Sequence, residues 1–384
     1  MIRAVFLAHT AAPSGAELAT LRLLSALRAE GVVDASMLLT ADGPLVDRLR
    51  TRAIPVTVCP GDFDSRSLTR AGSGPLRLLT GAVALIRLGT RLGTTVRAHG
   101  AHVLVAQSTK ALLMGAVAAR RAGIPLVWQV HDRVSAEYFG SPLAVALRLL
   151  GRLTAQGLIA NSRSTLHTLS TTGRAAVVAY PGVEAGPDLA RAPQRDSSQV
   201  RIVMVGRLTP WKGQDVLLRA LARMRHRPAA VHLVGGTFFG EQDYRAELER
   251  TATELGLPVE FTGHADDPAP YFAQADIAVH CSVLAEPFGQ VVVEAMGAGC
   301  AVVAAGAGGP TEIIRPELDG LLTPPGDPGA LAAALDRLVA DPVLRTRLGT
   351  AARDRARDFT ITATARAVTG LLEQVTARKA VAPR

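Results

Sequence analysis

The chain has 384 residues, 48% of them hydrophobic and 20% charged, so it is long enough for two domains with cores of ordinary size. No apolar run reaches the length that spans a bilayer, and no basic segment with an apolar signal core opens the sequence, which predicts a cytoplasmic protein. The three cysteines lie far apart without C-x-x-C spacing, which argues against a disulfide framework or a zinc site.

The formal net charge of +9 is concentrated in the first half of the chain. Residues 1–190 hold 20 basic and 11 acidic side chains, whereas residues 191–384 hold 22 of each. A positively charged N-terminal half favours anionic partners. The substrate could therefore be anionic or lipid-linked, and the protein could make a peripheral contact with the inner face of an anionic membrane. Nucleic acid is not expected, because aromatic residues make up only 4% and no nucleic-acid motif is visible.

The first half alternates the patterns of buried strands and amphipathic helices. Residues 2–8 predict a strand, and a turn ending at Gly15 leads into a helix over 17–29. This order opens a doubly wound α/β domain, in which ligands bind at the loops that follow the strands. Gly15 would let the backbone approach a phosphate or a sugar closely, although a plain turn is an equal alternative. Further strands are predicted at 32–39, 54–58, 102–107 and 125–130, with helices at 76–98 and 110–122.

Three features of this half have two readings each. The D-x-D at 62–64 could hold a cation, but nothing nearby completes an oxygen cage, so a solvated turn is predicted. His131 and Asp132 follow the strand at 125–130 and would lie at the crevice of the sheet. The helix at 76–98 could sit on a membrane or line a substrate cleft, but a surface helix packed on the sheet is the preferred reading. Its basic side holds Arg77, Arg87 and Arg91, and its apolar side Leu78, Leu79, Leu85, Ile86, Leu92 and Val96.

Residues 184–199 are polar, contain proline and lack periodicity, which predicts a linker. After it, the loop 206–213 reads G-R-L-T-P-W-K-G between a predicted strand at 201–205 and a helix at 214–224. Arg207 supplies a fork of donors and Lys212 a compact charge, and together they could neutralise two phosphates. Further strands are predicted at 231–235, 259–262, 277–281 and, as the last of the core, 301–304; helices are predicted at 243–255, near 271, and at 328–340, 343–357 and 361–379.

The most informative stretch is 286–294, which reads E-P-F-G-Q-V-V-V-E. Apolar residues at helical spacing predict a helix that starts near Pro287, so the N–H groups of Phe288, Gly289 and Gln290 would face an anion. Two carboxylates, Glu286 and Glu294, flank that site and can accept hydrogen bonds from sugar hydroxyls. The pattern predicts a sugar-nucleotide site; the alternative is a helix cap and a surface ion pair.

This motif, with the loop 206–213 before it, resembles the signature of retaining glycosyltransferases of family 4. The resemblance implies an α/β protein of the GT-B fold, with two facing Rossmann-like domains and a cleft between them. Residues 1–183 would bind the acceptor, with the helix 361–384 packing back on them, and 200–360 would bind the nucleotide sugar. Leu158–Ser162 and Val177–Val183 resemble the last strands of the first domain. Where family members often carry two glycines, this chain has Ser14-Gly15.

The resemblance also implies roles for the candidate residues. Arg207 and Lys212 would bind the diphosphate, Glu294 the ribose and Glu286 the transferred sugar. His131 would face the donor sugar, and His264 would lie at the nucleobase.

In this family the departing diphosphate is thought to take the acceptor proton, so the anomeric configuration is retained. The catalytic group would then be Glu286, His131, Arg207 and Lys212, with no metal and no cofactor besides a donor that is a UDP- or GDP-sugar. Two alternatives remain: a GT-B epimerase or hydrolase that needs no acceptor, and a non-catalytic binding or scaffold protein.

Overall fold

The computed structural model describes residues 1–61, 75–184, 199–237 and 240–381. The chain divides into two compact units: unit 1 comprises Met1–Glu184 with Ile361–Arg384, and unit 2 comprises Ala185–Thr360. The predicted D-x-D turn at 62–64 and nearly all of the predicted linker at 184–199 lie outside the described residues.

Unit 1 is built around one parallel sheet of seven strands in the order β3-β2-β1-β4-β5-β6-β7. Its central strands are buried on both faces, which explains why they are nearly continuous apolar runs in the sequence. The strands are β1 (Ile2–Ala8), β2 (Val33–Leu39), β3 (Val56–Val58), β4 (Val103–Ala106), β5 (Leu126–Val130), β6 (Gly157–Ala160) and β7 (Ala175–Val178). The strand expected at 177–183 therefore begins and ends earlier, as β7.

The helices of unit 1 cover this sheet. The sequence predicted α1, α3 and α4, but missed α2, α5, α6 and α7. Helix α4 is fixed at both ends, because the Ser108 hydroxyl accepts a hydrogen bond from the Ala111 N–H and Gly123 ends the helix in the left-handed conformation. The helices are α1 (Gly15–Ala29), α2 (Pro44–Thr51), α3 (Pro75–Ala98), α4 (Thr109–Ala122), α5 (Ala136–Phe139), α6 (Ser141–Thr154) and α7 (Arg163–Leu166).

Helix α3 is a surface helix with a buried apolar side. Leu85, Leu92 and Val96 are buried in one cluster with residues of α4 and β4. Ile86 was expected on this side, yet its side chain is half exposed, so that assignment was wrong. The side chains of residues 77–79 lie outside the described part of the structure.

Unit 2 contains a second parallel sheet, with six strands in the order β10-β9-β8-β11-β12-β13. Alternate residues on one face of this sheet, such as Ile202, Val231, Ile277 and Ala301, form a hydrophobic core with the surrounding helices. The strands are β8 (Arg201–Val205), β9 (Ala230–Val234), β10 (Val259–Gly263), β11 (Ile277–His280), β12 (Ala301–Ala305) and β13 (Leu321–Thr323). The sequence analysis took the strand near 301–304 as the last of the core, but β13 pairs with it and forms the edge of the sheet.

The helices of unit 2 are close to those predicted, except that the short α12 was not predicted and α11 starts later than expected. That helix begins at Gln290, three residues after the predicted start, because Gly289 before it takes a left-handed conformation with a φ of 98°. The helices are α8 (Gln214–Leu221), α9 (Gln242–Glu254), α10 (Ala269–Gln274), α11 (Gln290–Gly297), α12 (Pro310–Ile313), α13 (Pro328–Ala340) and α14 (Pro342–Ala356).

The last helix, α15 (Ile361–Val381), belongs to unit 1. It packs on α1, β6 and β7. The hydroxyl of Thr364 donates to the carbonyl of Tyr180 at 2.6 Å and accepts from the N–H of Gly182 at 3.0 Å. Five apolar side chains on one side of α15 are buried: Ala365, Val368, Leu371, Leu372 and Val375. Within the described part of the chain, no helix has the length and apolar character needed to cross a membrane.

Candidate functional site

Three loops of unit 2 meet where β8, β11 and β12 end, because parallel strands place their carboxyl ends at one edge of a sheet. The loop 206–213 is tied to the loop 281–289 by a hydrogen bond from the Val283 N–H to the Trp211 carbonyl at 2.9 Å. The loop after β12 joins them through the Gly309 N–H, which donates to the Glu286 carbonyl at 2.8 Å. The segments that the sequence analysis singled out are therefore neighbours.

Two glycines allow these loops to approach one another. Gly213 has a φ of 74°, and a Cβ there would collide with the carbonyl oxygen of Cys281. Gly308 has a φ of 75°, and a Cβ there would collide with the carbonyl oxygen of Glu286. No other residue type fits either position without moving the backbone.

Lys212 and Glu286 form a close ion pair at the centre of these loops. The Lys212 Nζ donates to the two carboxylate oxygens at 3.0 and 2.8 Å, and the two side chains are only 17% and 10% exposed. The ammonium group also lies 4.2 Å from the centre of the Trp211 ring, a cation–π contact. Lys212 and Glu286, which were both predicted as site residues, are thus bonded directly to each other.

Two further residues bind the same carboxylate. Ser282 donates its hydroxyl to Glu286 Oε2 at 2.6 Å, and the His280 Nε2 lies 3.1 Å from that oxygen. Burial alone would raise the pKa of the Glu286 carboxyl, but Lys212 and His280 outweigh it and hold the pKa well below its usual range. Glu286 is therefore a buried, ionised acceptor that fixes the position of Lys212.

The sequence analysis missed His280 and Ser282. A single histidine at the end of an apolar strand is ordinarily a core residue. The available signal was H-C-S at the end of β11, four to six residues before Glu286, where parallel sheets carry their sites.

The second predicted acid, Glu294, lies one turn into α11 and is half-buried. The Gln290 Nε2 donates to its Oε1 at 2.8 Å. The later start of α11 changes the predicted anion site, because Gly289 is the N-cap and Gln290 is the first helical residue. Phe288 lies before the helix, and its ring is buried against Phe359. Phe288 is thus not part of the first turn, contrary to the prediction.

The other predicted residues of unit 2 lie in loops at the same edge. Arg207 comes directly after Gly206 at the end of β8, with its Nε 3.5 Å from Glu241 Oε1, and its carbonyl accepts from Gln214 Nε2 at 2.8 Å. His264 follows β10, is half exposed, and has its Nε2 3.7 Å from Asp266 Oδ1. The structure brings Lys212 and Glu286 into contact, while Arg207 and His264 have acidic partners of their own.

In unit 1, His131 directly follows β5, at the carboxyl edge of that sheet. Its Nε2 lies 3.0 Å from Gln107 Oε1, and its carbonyl accepts from Asn161 Nδ2 at 2.7 Å. Burial lowers the pKa of His131 to about 4, so the imidazole is neutral at neutral pH.

Gly15 is the first residue of α1 rather than part of the preceding turn. Space around it is open, since a Cβ there would meet nothing within 4 Å. Two residues further on, Glu17 lines a small pocket together with His131. Burial raises the pKa of Glu17, against the opposing effect of the Ser14 hydroxyl that donates to it.

Across the described ranges, no three His, Cys, Asp or Glu side chains are grouped as a metal site requires. The prediction that no metal takes part stays a prediction.

Two Rossmann-like α/β units with loops of this kind at their sheet edges are the architecture of the GT-B fold. The chain belongs to the family of glycosyl transferases group 1: that family model matches residues 187–355, and the glycosyl transferase 4-like domain matches residues 14–187. The predicted family and fold class are confirmed.

Individual relatives agree with this placement. A D-inositol 3-phosphate glycosyltransferase of a Nocardioides species is 30% identical over 87% of this chain and 82% of its own length. The crystal structure of HepE of Anabaena, in complex with UDP and glucose, is 30% identical, covers 97% of this chain and 100% of its own, and has a TM-score of 0.81. A sucrose-phosphate synthase of Thermosynechococcus elongatus, with 22% identity over 98% of this chain and 100% of its own, shares the fold at a TM-score of 0.77.

Proposed function

We propose that this protein is a retaining glycosyltransferase that moves a sugar from a nucleoside-diphosphate sugar to an acceptor hydroxyl without a metal. The observation that carries the proposal is the cluster of Lys212, Glu286, His280 and Ser282 at the sheet edge of unit 2, with Arg207 in the same loop as Lys212. A UDP-sugar is the first donor to test, because HepE is described in complex with UDP-glucose, and a GDP-sugar is the second.

Lys212 and Arg207 bind the diphosphate of the donor in this proposal. An ammonium group has three N–H donors, and the two bonds to Glu286 leave one for a phosphate oxygen. Because Glu286 holds Lys212 in place, the charge is already positioned when negative charge develops on the leaving diphosphate. Gly289 and Gln290 at the start of α11 add backbone donors.

Glu294 takes the ribose hydroxyls, Glu286 remains assigned to the transferred sugar, and His264 lies at the nucleobase. His131 faces the donor sugar. In the reaction the bond from the anomeric carbon to the diphosphate breaks, and the acceptor oxygen bonds to that carbon on the same face. The acceptor proton passes to the departing diphosphate, so no separate carboxylate base is needed. The protein contributes by positioning the reactants and stabilising charge.

The first experiment is a thermal-shift screen of UDP- and GDP-sugars with and without EDTA, followed by transfer assays with the donor that stabilises the protein. A ligand at a hundred times its dissociation constant adds about 2.7 kcal/mol to stability. The expected product has the anomeric configuration of the donor, with a rate unchanged by EDTA. An inverted product, or a rate that collapses with EDTA, contradicts the proposed mechanism.

The same assay separates the two alternatives. An epimerase or hydrolase processes the donor at full rate with no acceptor added. A scaffold protein keeps its biological activity when Lys212 or Glu286 is replaced, whereas the transferase loses activity at least about tenfold, since one charged transition-state contact contributes about 2 to 4 kcal/mol.

We also propose that the protein is cytoplasmic and contacts an anionic membrane surface through α6, a helix of 14 residues without an acid. Four of its apolar side chains are 50 to 73% exposed and lie on one side: Leu143, Val145, Leu149 and Leu153. Arg148 and Arg152 flank this apolar side. These two cations, like the net positive charge of the N-terminal half, would attract anionic lipid headgroups. This surface differs from the earlier candidate, α3, whose apolar side is buried.

Vesicles of phosphatidylglycerol and phosphatidylcholine test the α6 surface by co-sedimentation. We expect binding at low salt, weak binding to phosphatidylcholine alone, and at least tenfold weaker binding of L149S/L153S, because each leucine contributes about 1.5 kcal/mol on burial. Leu318→Ser, at an exposed leucine of unit 2, is the matched control and binds like wild type. Equal binding by L149S/L153S, or none by wild type, overturns the proposal.

A further inference from the structure

At the sheet edge of unit 1, His131 is joined to buried polar side chains that the proposed reaction has not used: Thr20, Gln107 and Gln129. Residues of α1, β1, β2 and the ends of β4 and β5 line the small pocket at this edge: Ala8, Ala16, Glu17, Thr20, Met37, Gln107 and His131. No lysine or arginine is among these described lining residues. The pocket therefore offers hydrogen bonds to a neutral ligand group rather than charge to a phosphate.

Gln107 lies at the centre of these polar side chains and is 6% exposed. Its Nε2 donates to Gln129 Oε1 at 2.9 Å, which leaves its Oε1 as the acceptor. That oxygen receives the Thr20 hydroxyl at 2.7 Å and faces His131 Nε2 at 3.0 Å. Thr20 and Gln129 are buried as well, so the orientation of the Gln107 amide is fixed from two sides.

This orientation decides where His131 carries its proton. An amide oxygen can only accept, so the Nε2 of His131 must be the donor. The imidazole is neutral, because burial holds its pKa at about 4. The Nδ1 then has a lone pair, and no hydrogen bond among the described residues uses it.

Several titratable groups face this edge. Glu17 lies on α1, and His9 follows β1 and bonds through Nδ1 to the Ser108 hydroxyl at 2.9 Å. The positive charge of Lys110 on α4 contributes to lowering the pKa of His9. Asp132 follows His131 in the chain. Burial raises the pKa of Glu17 and lowers that of His9 to about 4, so both changes reduce the charge at this edge.

We propose that Gln107 is a positioning residue that holds His131 with its proton on Nε2, so that Nδ1 accepts a hydrogen bond from a substrate hydroxyl bound beside Glu17. The proposal rests on the proposed glycosyl transfer for the identity of the ligand, a sugar or another polyol. The hydroxyl can belong to the donor sugar or to the acceptor, and kinetics distinguish the two.

The tautomer is tested by nitrogen NMR of protein labelled in its nine histidines, with His131 assigned by its loss in His131→Asn. We expect a protonated Nε2 and an unprotonated Nδ1 at pH 7. Wild-type protein suffices, and no activity is needed, so this result stands apart from the proposed function. A proton on Nδ1 overturns the proposal.

The positioning role is tested by Gln107→Glu, which places a carboxylate against Nε2 and stabilises the imidazolium, so that Nδ1 becomes a donor. We expect both ring nitrogens to be protonated at pH 6, and kcat/KM at pH 6 to fall at least tenfold relative to pH 8, while wild type changes little. Gln374→Glu adds the same charge on the exposed side of α15 and serves as the control.

The substrate whose KM rises in Gln107→Glu identifies the source of the hydroxyl. An unchanged tautomer and pH profile in a folded Gln107→Glu protein overturns the proposal. If this variant does not fold, the wild-type spectrum still decides the position of the proton. If the spectrum is as expected but no sugar transfer occurs, the tautomer assignment holds and the proposed function fails.

Discussion

The Lys212 ammonium nitrogen lies 3.0 and 2.8 Å from the two carboxylate oxygens of Glu286, so the cation proposed for the phosphate and the acid proposed for the sugar are bound to each other. Because both are largely buried, neither can be replaced without changing the environment of the other. Effects on stability and on catalysis must therefore be separated by pairs of variants.

Lys212→Met leaves the Glu286 carboxylate buried without its main counter-charge. We expect transfer to fall at least tenfold, and the unfolding free energy of unit 2 to fall by about 3–5 kcal/mol, as when one partner of a buried ion pair is removed. Kinetics and urea denaturation measure the two effects.

The matched control is K212M/E286Q, which removes both charges. It should recover most of the lost stability but not the activity, because the phosphate-binding cation is still missing. Recovery of transfer by the double variant would show that the ammonium group has no catalytic role.

The stability of unit 1 should depend on pH through His9 and His131. Both have a folded pKa of about 4, below the ordinary value of 6.5, so between these values the unfolded chain binds protons that the folded chain does not. Stability therefore falls as the pH falls from 6.5 to 4, by up to about 1.4 kcal/mol per pH unit for each histidine. Hydrogen exchange of unit 1 peptides at pH 7, 6 and 5 measures this.

Replacing both histidines by asparagine should flatten that dependence, whatever its effect on stability at pH 7. If the double variant keeps the wild-type slope, the two rings are not the groups that bind the protons.

Gly308→Ala should push the loop that follows β12 away from Glu286. Its Cβ would collide with the Glu286 carbonyl, and its φ of 75° is strained for alanine, so a loss of more than about 2 kcal/mol and of most activity is expected. Gly256→Ala is the control, with a φ of 58° and open space, and should cost only about 1 kcal/mol. Thermal denaturation and transfer assays compare them, and equal losses would rule out a specific effect of the collision.

Leu372→Ala tests the attachment of α15 to unit 1. The side chain is fully buried, so its truncation should cost about 2–5 kcal/mol and make unit 1 open more readily to proteases. Glu373→Ala, at the exposed neighbouring position, should cost less than about 0.5 kcal/mol. Protease cleavage that rises in unit 2 rather than in unit 1 would contradict this assignment.

Most strands could be predicted because buried parallel strands are short apolar runs that end in turns, as β1, β5 and β8 show. Helix α6 was missed although its sequence is amphipathic and carries a proline in the first turn, so the signal for this helix was available. Short helices such as α5 and α7 depend on their surroundings more than on sequence periodicity.

The site was predictable where a motif carried it, as with Lys212 and Glu286. The start of α11 was not, because it depends on the left-handed Gly289 and on the burial of Phe288 against Phe359, a contact 71 positions away in the sequence. His280 was missed for a similar reason, since only the folded loop brings it to Glu286. Contacts between distant segments leave little trace in local pattern.

The placement of α15 reverses the order in which the two units can be finished during synthesis. Unit 2 is complete once residue 360 has left the ribosome, while unit 1 still lacks the helix that covers α1 and β7. The apolar surface of unit 1 that α15 covers stays open to water until this helix has been made. We therefore expect the half of the protein that is translated first to be the last to reach its native state.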